Sequence, residues 1–260
     1  MPRIGTGLGL GLFGTPSGGG GFDADYQAVL TYATTQGYTL PSAGQQTLQN
    51  QLVVDLKAGG VWSKLDTFAN FATDGSSNFA LIDWKRLTQY TAVNSPTFTT
   101  NEGFKGNGTS SYINTNYNAQ TVGTNYTTTN ASAGFWSELM THDANYIYSG
   151  GSTYFRDLSA ALFRQAMNDG DGTNRTSPLG EFKYCHSDRS SSTVKNLYEN
   201  AAPLGPYAQN SSTAAVNFLL LNLTTSYSSS KISLFYCGAS FTAGEITAFY
   251  NKYNTYLTSL

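Results

Sequence analysis

Residues 231–254, KISLFYCGASFTAGEITAFYNKYN, carry two different periods in succession. The first half, KISLFYCGAS, is rich in aromatic and aliphatic residues and ends at Gly238-Ala239, the composition of a strand running into a turn. In the second half Ile246, Phe249, Tyr250 and Tyr253 recur at the spacing of one helical face. A strand, a turn and a short capped helix therefore close the chain.

Working outward from there, strand signals dominate back to about Thr67. They are TFANFAT, NFALIDW, SPTFTTNEGFKG, SYINTNYN, NASAGFWSEL, ANYIYSGG, SAALFRQAM, GEFKYCHS, TVKNLYEN and VNFLLLNL. Turns separate them at Asp74-Gly75, Gly106-Asn107-Gly108, Gly150-Gly151 and the run from Asp169 to Gly172. Many short strands with regular turns and no helices between them predict an antiparallel sandwich or jelly roll rather than a parallel sheet.

The period changes again before Leu65. Tyr26, Val29, Leu30 and Ala33 share one helical face behind Asp23 and Asp25, acidic residues suited to a helix N-terminus. After the break at GYTLPS, Ser42 is placed to cap a second helix through Leu48, Leu52, Val53 and Leu56, which Gly59-Gly60 ends. Each helix has one apolar face, to be packed on the other or on the sandwich. Residues 1–21 differ from both zones, with Ile4, Leu8, Leu10 and Leu12 alternating with Gly or Thr ahead of Phe13 and GTPSGGGG. That alternation suits a ribbon that docks on a partner through main-chain hydrogen bonds and leucine pockets, followed by a flexible hinge. The glycines interrupt any hydrophobic core of a signal peptide.

Composition narrows the function. The 260 residues are 40% hydrophobic and 14% aromatic, enough for a sizeable core, yet only 12% are charged and the net charge is −2. The polar surface is built from hydroxyls and amides, and without a concentrated basic face there is no electrostatic case for nucleic acid. No run approaches the roughly 18 to 20 apolar residues of a membrane helix. Cys185 and Cys237 fit no metal spacing and leave two readings, a pair of buried reduced thiols or one disulfide.

Three segments together resemble the concanavalin A-like, laminin G-type jelly rolls. ISLFYCGASFTAGEITAFYNKYN is similar to their closing strand and helix, GFKGNGTSSYINTNYN to an early strand, and SDRSSSTVKNLYEN to the strand that presents an exposed hairpin. The helical lead-in from DADYQAVL to FANFATDG is similar to segments that precede such jelly rolls in structural proteins of tailed bacteriophages. The resemblance implies a virion component: head fibre, capsid decoration or tail appendage.

Signs of chemistry are few. Glycoside-cleaving members of that superfamily carry a Glu-x-Asp-x-x-Glu strand with carboxylates about 5 Å apart across the sugar. Here Glu138 is followed by no acid until Asp143, a spacing that sets the two on opposite faces of a strand. His142 and His186 are the only histidines, too few for a typical His-based metal site, and no Gly-x-Ser-x-Gly elbow is present. In NDGDGTN, Asp169, Asp171 and Asn174 offer oxygens for a candidate Ca²⁺ loop, against the plainer reading of a hairpin turn. GLGLG near the start lacks the strand and helix of a phosphate-binding loop. Trp136, Tyr146, Tyr148 and Tyr154 are candidate exposed aromatics, and the first three are the expected glycan contacts.

The sequence thus predicts a mainly β protein: an antiparallel two-sheet jelly-roll sandwich with a small N-terminal helical segment and a short C-terminal helix. Residues 1–21 are expected to be an anchor and hinge, 22–65 a helical lead-in and 66–260 the sandwich. The expected function is that of a non-enzymatic phage virion surface protein. It would be held to capsid or tail proteins by Ile4, Leu8, Leu10, Leu12 and Phe13, associate as a homotrimer and present the sandwich to host or environmental glycans. No catalytic residues, cofactor beyond the Ca²⁺ candidate, nucleic acid or membrane insertion are expected. The alternatives are a secreted or cell-surface carbohydrate-binding module, which the lack of a signal peptide disfavours, and a glycoside hydrolase with an atypical site.

Overall fold

The computed structural model describes residues 21–159, 162–176, 183–212 and 215–260. Helix α1 (Ala24–Thr35) begins where the Asp23 carboxylate accepts from the Asp25 amide. Helix α2 (Ala43–Ala58) begins where Ser42 Oγ accepts from the Gln45 amide, and it ends at Gly59. Two shorter or later helices complete the set, α3 (Ser77–Ala80) and α4 (Ala243–Thr258), the latter opened by a capping box between Thr242 and Glu245.

The strands, in chain order, are β1 (Leu65–Asn70), β2 (Ile82–Asp83), β3 (Thr88–Gln89), β4 (Thr91–Val93), β5 (Thr97–Thr99), β6 (Gly103–Lys105) and β7 (Tyr112–Asn114). Next come β8 (Ala131–Leu139), β9 (Tyr146–Ser149), β10 (Tyr154–Ser159), β11 (Leu162–Ala166), β12 (Thr173–Thr176) and β13 (Tyr184–Arg189). The chain finishes with β14 (Val194–Glu199), β15 (Ala202–Ala208), β16 (Leu219–Leu220), β17 (Asn222–Leu223), β18 (Ser226–Tyr227) and β19 (Lys231–Gly238).

Two antiparallel sheets stack as a sandwich. An eight-stranded sheet runs β15-β14-β13-β8-β19-β6-β5 with β1 added on β19, and a seven-stranded sheet runs β12-β11-β10-β9-β16-β7-β4. Strand β19 is central because one of its edges is divided, with β6 pairing Lys231 and Ile232 and β1 pairing the stretch from Leu234 to Gly238. Its other edge pairs β8.

The middle of the eight-stranded sheet, strands β1, β8, β13 and β19, is buried on both faces. Phe135, Cys185, Phe235 and Cys237 point into the core shared with Ile147, Phe155 and Phe163 of the seven-stranded sheet. Their strand neighbours Trp136, Tyr184, Leu234 and Tyr236 point the other way, into a second core closed by α1, α2 and α4. The layers are therefore helices, large sheet, small sheet. Across the inner core Phe135 meets Phe155 at 4.8 Å, and Phe155 stacks on Phe163 at 5.1 Å. Each such ring contributes about 1.5–3 kcal/mol on full burial.

The helical lead-in meets both of its expected contacts. All four apolar residues read on α1 are buried. Gln49, fully buried on α2, accepts from the Tyr26 hydroxyl at 2.8 Å and donates to Thr73 Oγ1 at 3.1 Å and to the Tyr256 hydroxyl at 3.2 Å. One amide thus ties both N-terminal helices to α4 and to the segment after β1.

The structure corrects three local expectations. NFALIDW is mostly not a strand: Ser76 Oγ accepts from the Phe79 amide and starts α3, leaving only Ile82 and Asp83 in β2. Strands β3, β4, β12, β15 and β18, and nearly all of β10, lay outside the expected runs. Strand β15 contains Pro203 and Pro206, tolerated because it is an edge strand whose outer amides need no ladder partner. In α4 the buried face includes Tyr256, while Tyr250 is half-buried and stacks on Trp136 at 5.4 Å.

Cys185 and Cys237 are free thiols, buried on strands that β8 separates. Burial pushes both well above the ordinary thiol range, so little thiolate forms at neutral pH. Ellman's reagent is expected to leave the folded protein unmodified and to titrate both cysteines once guanidinium unfolds it. Rapid reaction of the native protein would contradict the buried placement.

Candidate functional site

Three helices cover the middle of the large sheet, which leaves the outward side of the small sheet and the β14–β15 edge to solvent. Since Phe155 and Phe163 face the core, the residues that follow them, Arg156 and Arg164, face outward. Register makes them part of a row crossing four strands: Tyr146 on β9 is opposite Arg156 on β10, Arg156 is opposite Arg164 on β11, and Arg164 is opposite Asn174 on β12. The first three are half-buried and Asn174 is exposed. Tyr112, outward on β7 beside inward Ile113, adds another half-exposed ring, 6.3 Å from Tyr227.

The row is ordered locally. The Arg156 guanidinium sits 5.3 Å from the centroid of the Tyr146 ring, and its Nε donates to the Ala144 carbonyl at 2.9 Å. The edge of Tyr154 meets the same tyrosine at 5.4 Å. Burial pushes the Tyr154 phenol up, opposed by the positive charges of Arg164 and Arg156. Arg164 donates from a terminal nitrogen to the Asp171 carbonyl, while its buried Nε has no hydrogen-bond partner. None of the salt bridges among the described residues includes Arg156 or Arg164.

The loop behind Arg164 is the candidate Ca²⁺ loop, and its carboxylates are engaged otherwise. Asp169 Oδ2 lies 2.5 Å from Lys195 Nζ and 3.4 Å from an Arg189 terminal nitrogen, with all three side chains buried. Its Oδ1 accepts from the Gly172 amide at 3.1 Å. Side-chain cations thus occupy the place a metal would take. Asp171 offers its carboxylate to Gln209 at 3.3 Å, within a recess of about 540 Å³ that Thr193 and Ser211 also line. Asn174 belongs to the outward row instead, and no metal-binding group of His, Cys, Asp or Glu gathers among the described residues. Gly172, at φ +60°, lies close against the Tyr154 hydroxyl and Arg164 Nε, where a Cβ would collide with both.

Of the expected glycan contacts only Tyr146 reaches the surface. Trp136 is 2% exposed, under α4 against Tyr184 and Tyr253, and Tyr148 is fully buried between Phe135, Phe218 and Phe235. Tyr154 is 6% exposed: it shares the outward face of β10 with Arg156 but is covered there by Tyr146, Arg164 and Gly172. The physical reason at Trp136 is the double burial of the large sheet. At Tyr148 it is the irregular register between β9 and β10, which turns both Ile147 and Tyr148 inward. The anchoring residues Ile4, Leu8, Leu10, Leu12 and Phe13 lie outside the described residues.

The remaining polar candidates have structural engagements. His142 Nδ1 lies 3.1 Å from Asp157 Oδ1. His186 is fully buried, with Nδ1 2.6 Å from the Tyr236 hydroxyl, which in turn lies 2.6 Å from the Tyr184 hydroxyl. Asp143 accepts from the Ser229 amide at 2.6 Å and from the Thr141 hydroxyl at 3.1 Å, clasping the turn before β19. Glu138 stands exposed near the end of β8, where its carboxylate accepts from the Ser233 hydroxyl at 3.4 Å. No helix among the described residues is long and apolar enough to cross a membrane.

Sequence reasoning missed Arg156 and Arg164. The available signal was the repeated dipeptide Phe-Arg, at 155–156 and 163–164, which a tight hairpin places side by side.

The fold that carries this row is a two-sheet antiparallel β-sandwich. The chain resembles the botulinum neurotoxin serotype D binding domain with a TM-score of 0.50 and 14% identity, covering 72% of this chain and 50% of that one. A structure of the receptor binding domain of botulinum neurotoxin D gives 0.51 and 12%, with coverage of 72% and 52%. Trypanosoma rangeli sialidase, in complex with 2,3-difluorosialic acid, gives 0.51 and 12%, with coverage of 81% and 39%. The chain spans about half the length of the two toxin structures and less of the sialidase. At these identities the likeness is one of fold. No family model and no curated protein sequence matches the chain.

Proposed function

We propose that this protein is a non-enzymatic display domain of a tailed-phage virion surface, attached through its N-terminal residues and presenting the small sheet to glycans. The observation that carries the binding half is the outward row of Tyr146, Arg156, Arg164 and Asn174, on the sheet that does not pack against the helices. An aromatic ring, an amide and cation donors on a rigid sheet supply the stacking and hydrogen bonds a sugar requires. The likeness of fold to domains described as binding and receptor-binding adds coarse support. The virion half rests on the resemblance of the helical lead-in to phage structural proteins and on the alternating leucines of the leader.

A glycan microarray probed with the full chain tests the binding half. Tyr146→Ala is expected to weaken the strongest signals roughly tenfold or more, as loss of an aromatic anchor does. Signals unchanged in that variant would place recognition elsewhere, and a blank array would remove the adhesive reading. Co-sedimentation with purified phage particles, comparing the full chain with residues 22–260, tests attachment: only the full chain should pellet.

A further inference from the structure

We infer that the outward row selects a saccharide bearing an anionic group, a carboxylate or a sulfate, held by the guanidinium groups of Arg156 and Arg164. This rests on the glycan-display reading and narrows it to a ligand class. Two like charges stand directly opposite on adjacent strands, an arrangement that sheets disfavour unless something neutralises it. Among the described residues no carboxylate does. Of the acids around the row, Asp157 points inward to His142, Asp169 is held by Lys195 and Arg189, Asp143 is clasped by Ser229, and Asp171 gives Arg164 only its carbonyl.

The guanidinium groups are also fixed in place. Arg156 is held over Tyr146 and by the Ala144 carbonyl, and Arg164 is held by the loop whose Asp169 is locked in the buried charge triad. Arg164 as a whole is only half-buried and forms no salt bridge among the described residues, which leaves its charge to an external anion. Planar guanidinium forks match carboxylate and sulfate oxygens better than an ammonium does. The neighbouring Tyr146 ring and Asn174 amide suit the uncharged remainder of a sugar, whereas a nucleic acid would need a far more extensive basic face than a chain of net charge −2 offers.

The test uses the full chain on matched saccharide pairs: sialyllactose against lactose, a glucuronate-terminated against a glucose-terminated oligosaccharide, and sulfated against plain galactose. At low salt the anionic member of at least one pair is expected to bind roughly tenfold tighter, with the advantage shrinking as salt rises. Whether carboxylate or sulfate pairs respond identifies the source of the anion. Arg156→Gln and Arg164→Gln should each erase most of the preference, and Arg164→Lys should retain only part of it. Circular dichroism of each variant checks the fold, and Arg156→Gln, remote from the loop contact, keeps the test open if an Arg164 variant misfolds. Equal or better binding of the neutral members, or a preference that survives both glutamine substitutions, overturns the inference while leaving glycan display standing. Failure to bind any saccharide ends both.

Discussion

Asp169→Ala is expected to destabilise the protein by about 3–5 kcal/mol, because it strands two buried cations that share a single counter-ion. Lys195 and Arg189 have fully buried side chains, and burial already holds both below their ordinary range against the pull of Asp169. Lys195→Met makes the informative contrast. It removes one cation and leaves Asp169 with Arg189, so its cost should be small or even negative. Urea denaturation of the two variants measures the difference. If Asp169→Ala costs less than about 1 kcal/mol, the triad does not anchor the loop, and the ordering of Arg164 needs another source.

Asp66→Ala is the second large expected loss, about 3–4 kcal/mol. The Asp66 carboxylate accepts from the backbone amides of Thr124, Asn125 and Tyr126 at 2.8–3.1 Å, from the Thr124 hydroxyl at 2.8 Å and from the Tyr117 phenol at 3.0 Å. One side chain on β1 thus gathers the long connection between β7 and β8. Asp66→Asn keeps an acceptor oxygen and should cost less. Hydrogen exchange distinguishes local from global effects: the amides of Thr124, Asn125 and Tyr126 should lose protection first. Unchanged protection in Asp66→Ala would mean that the connection holds itself.

Helices α1, α2 and α4 were legible because their apolar residues recur on one face behind cap residues, and these signals are local. Most strands were legible by composition and turn punctuation. Strand β15 was not, since two prolines argue against a strand until its edge position is known. The wet face was harder still. On a sheet buried on both sides, alternation separates two cores rather than core from solvent, which is why Trp136 looked like a surface ring. Tyr146 was legible as a surface candidate because aromatic residues announce themselves, but an arginine gains its meaning from what stands opposite, and register is a tertiary fact. Asp169 drew notice as a cation ligand; that its cations would be Lys195 and Arg189, distant in sequence, had no local trace.

The double burial of the large sheet also divides the molecule by tolerance to change. A substitution on β8, β13 or β19 meets packed neighbours on either side, as at Gly134, where any Cβ would strike the Tyr236 ring. The row from Tyr146 to Asn174 meets solvent on one side only. Mutational drift can therefore rewrite the exposed parts of that row with less risk to folding than a change in β8, β13 or β19 carries. A lineage under pressure to change what it adheres to would have, in this single row, a place to diversify while the scaffold stays constant.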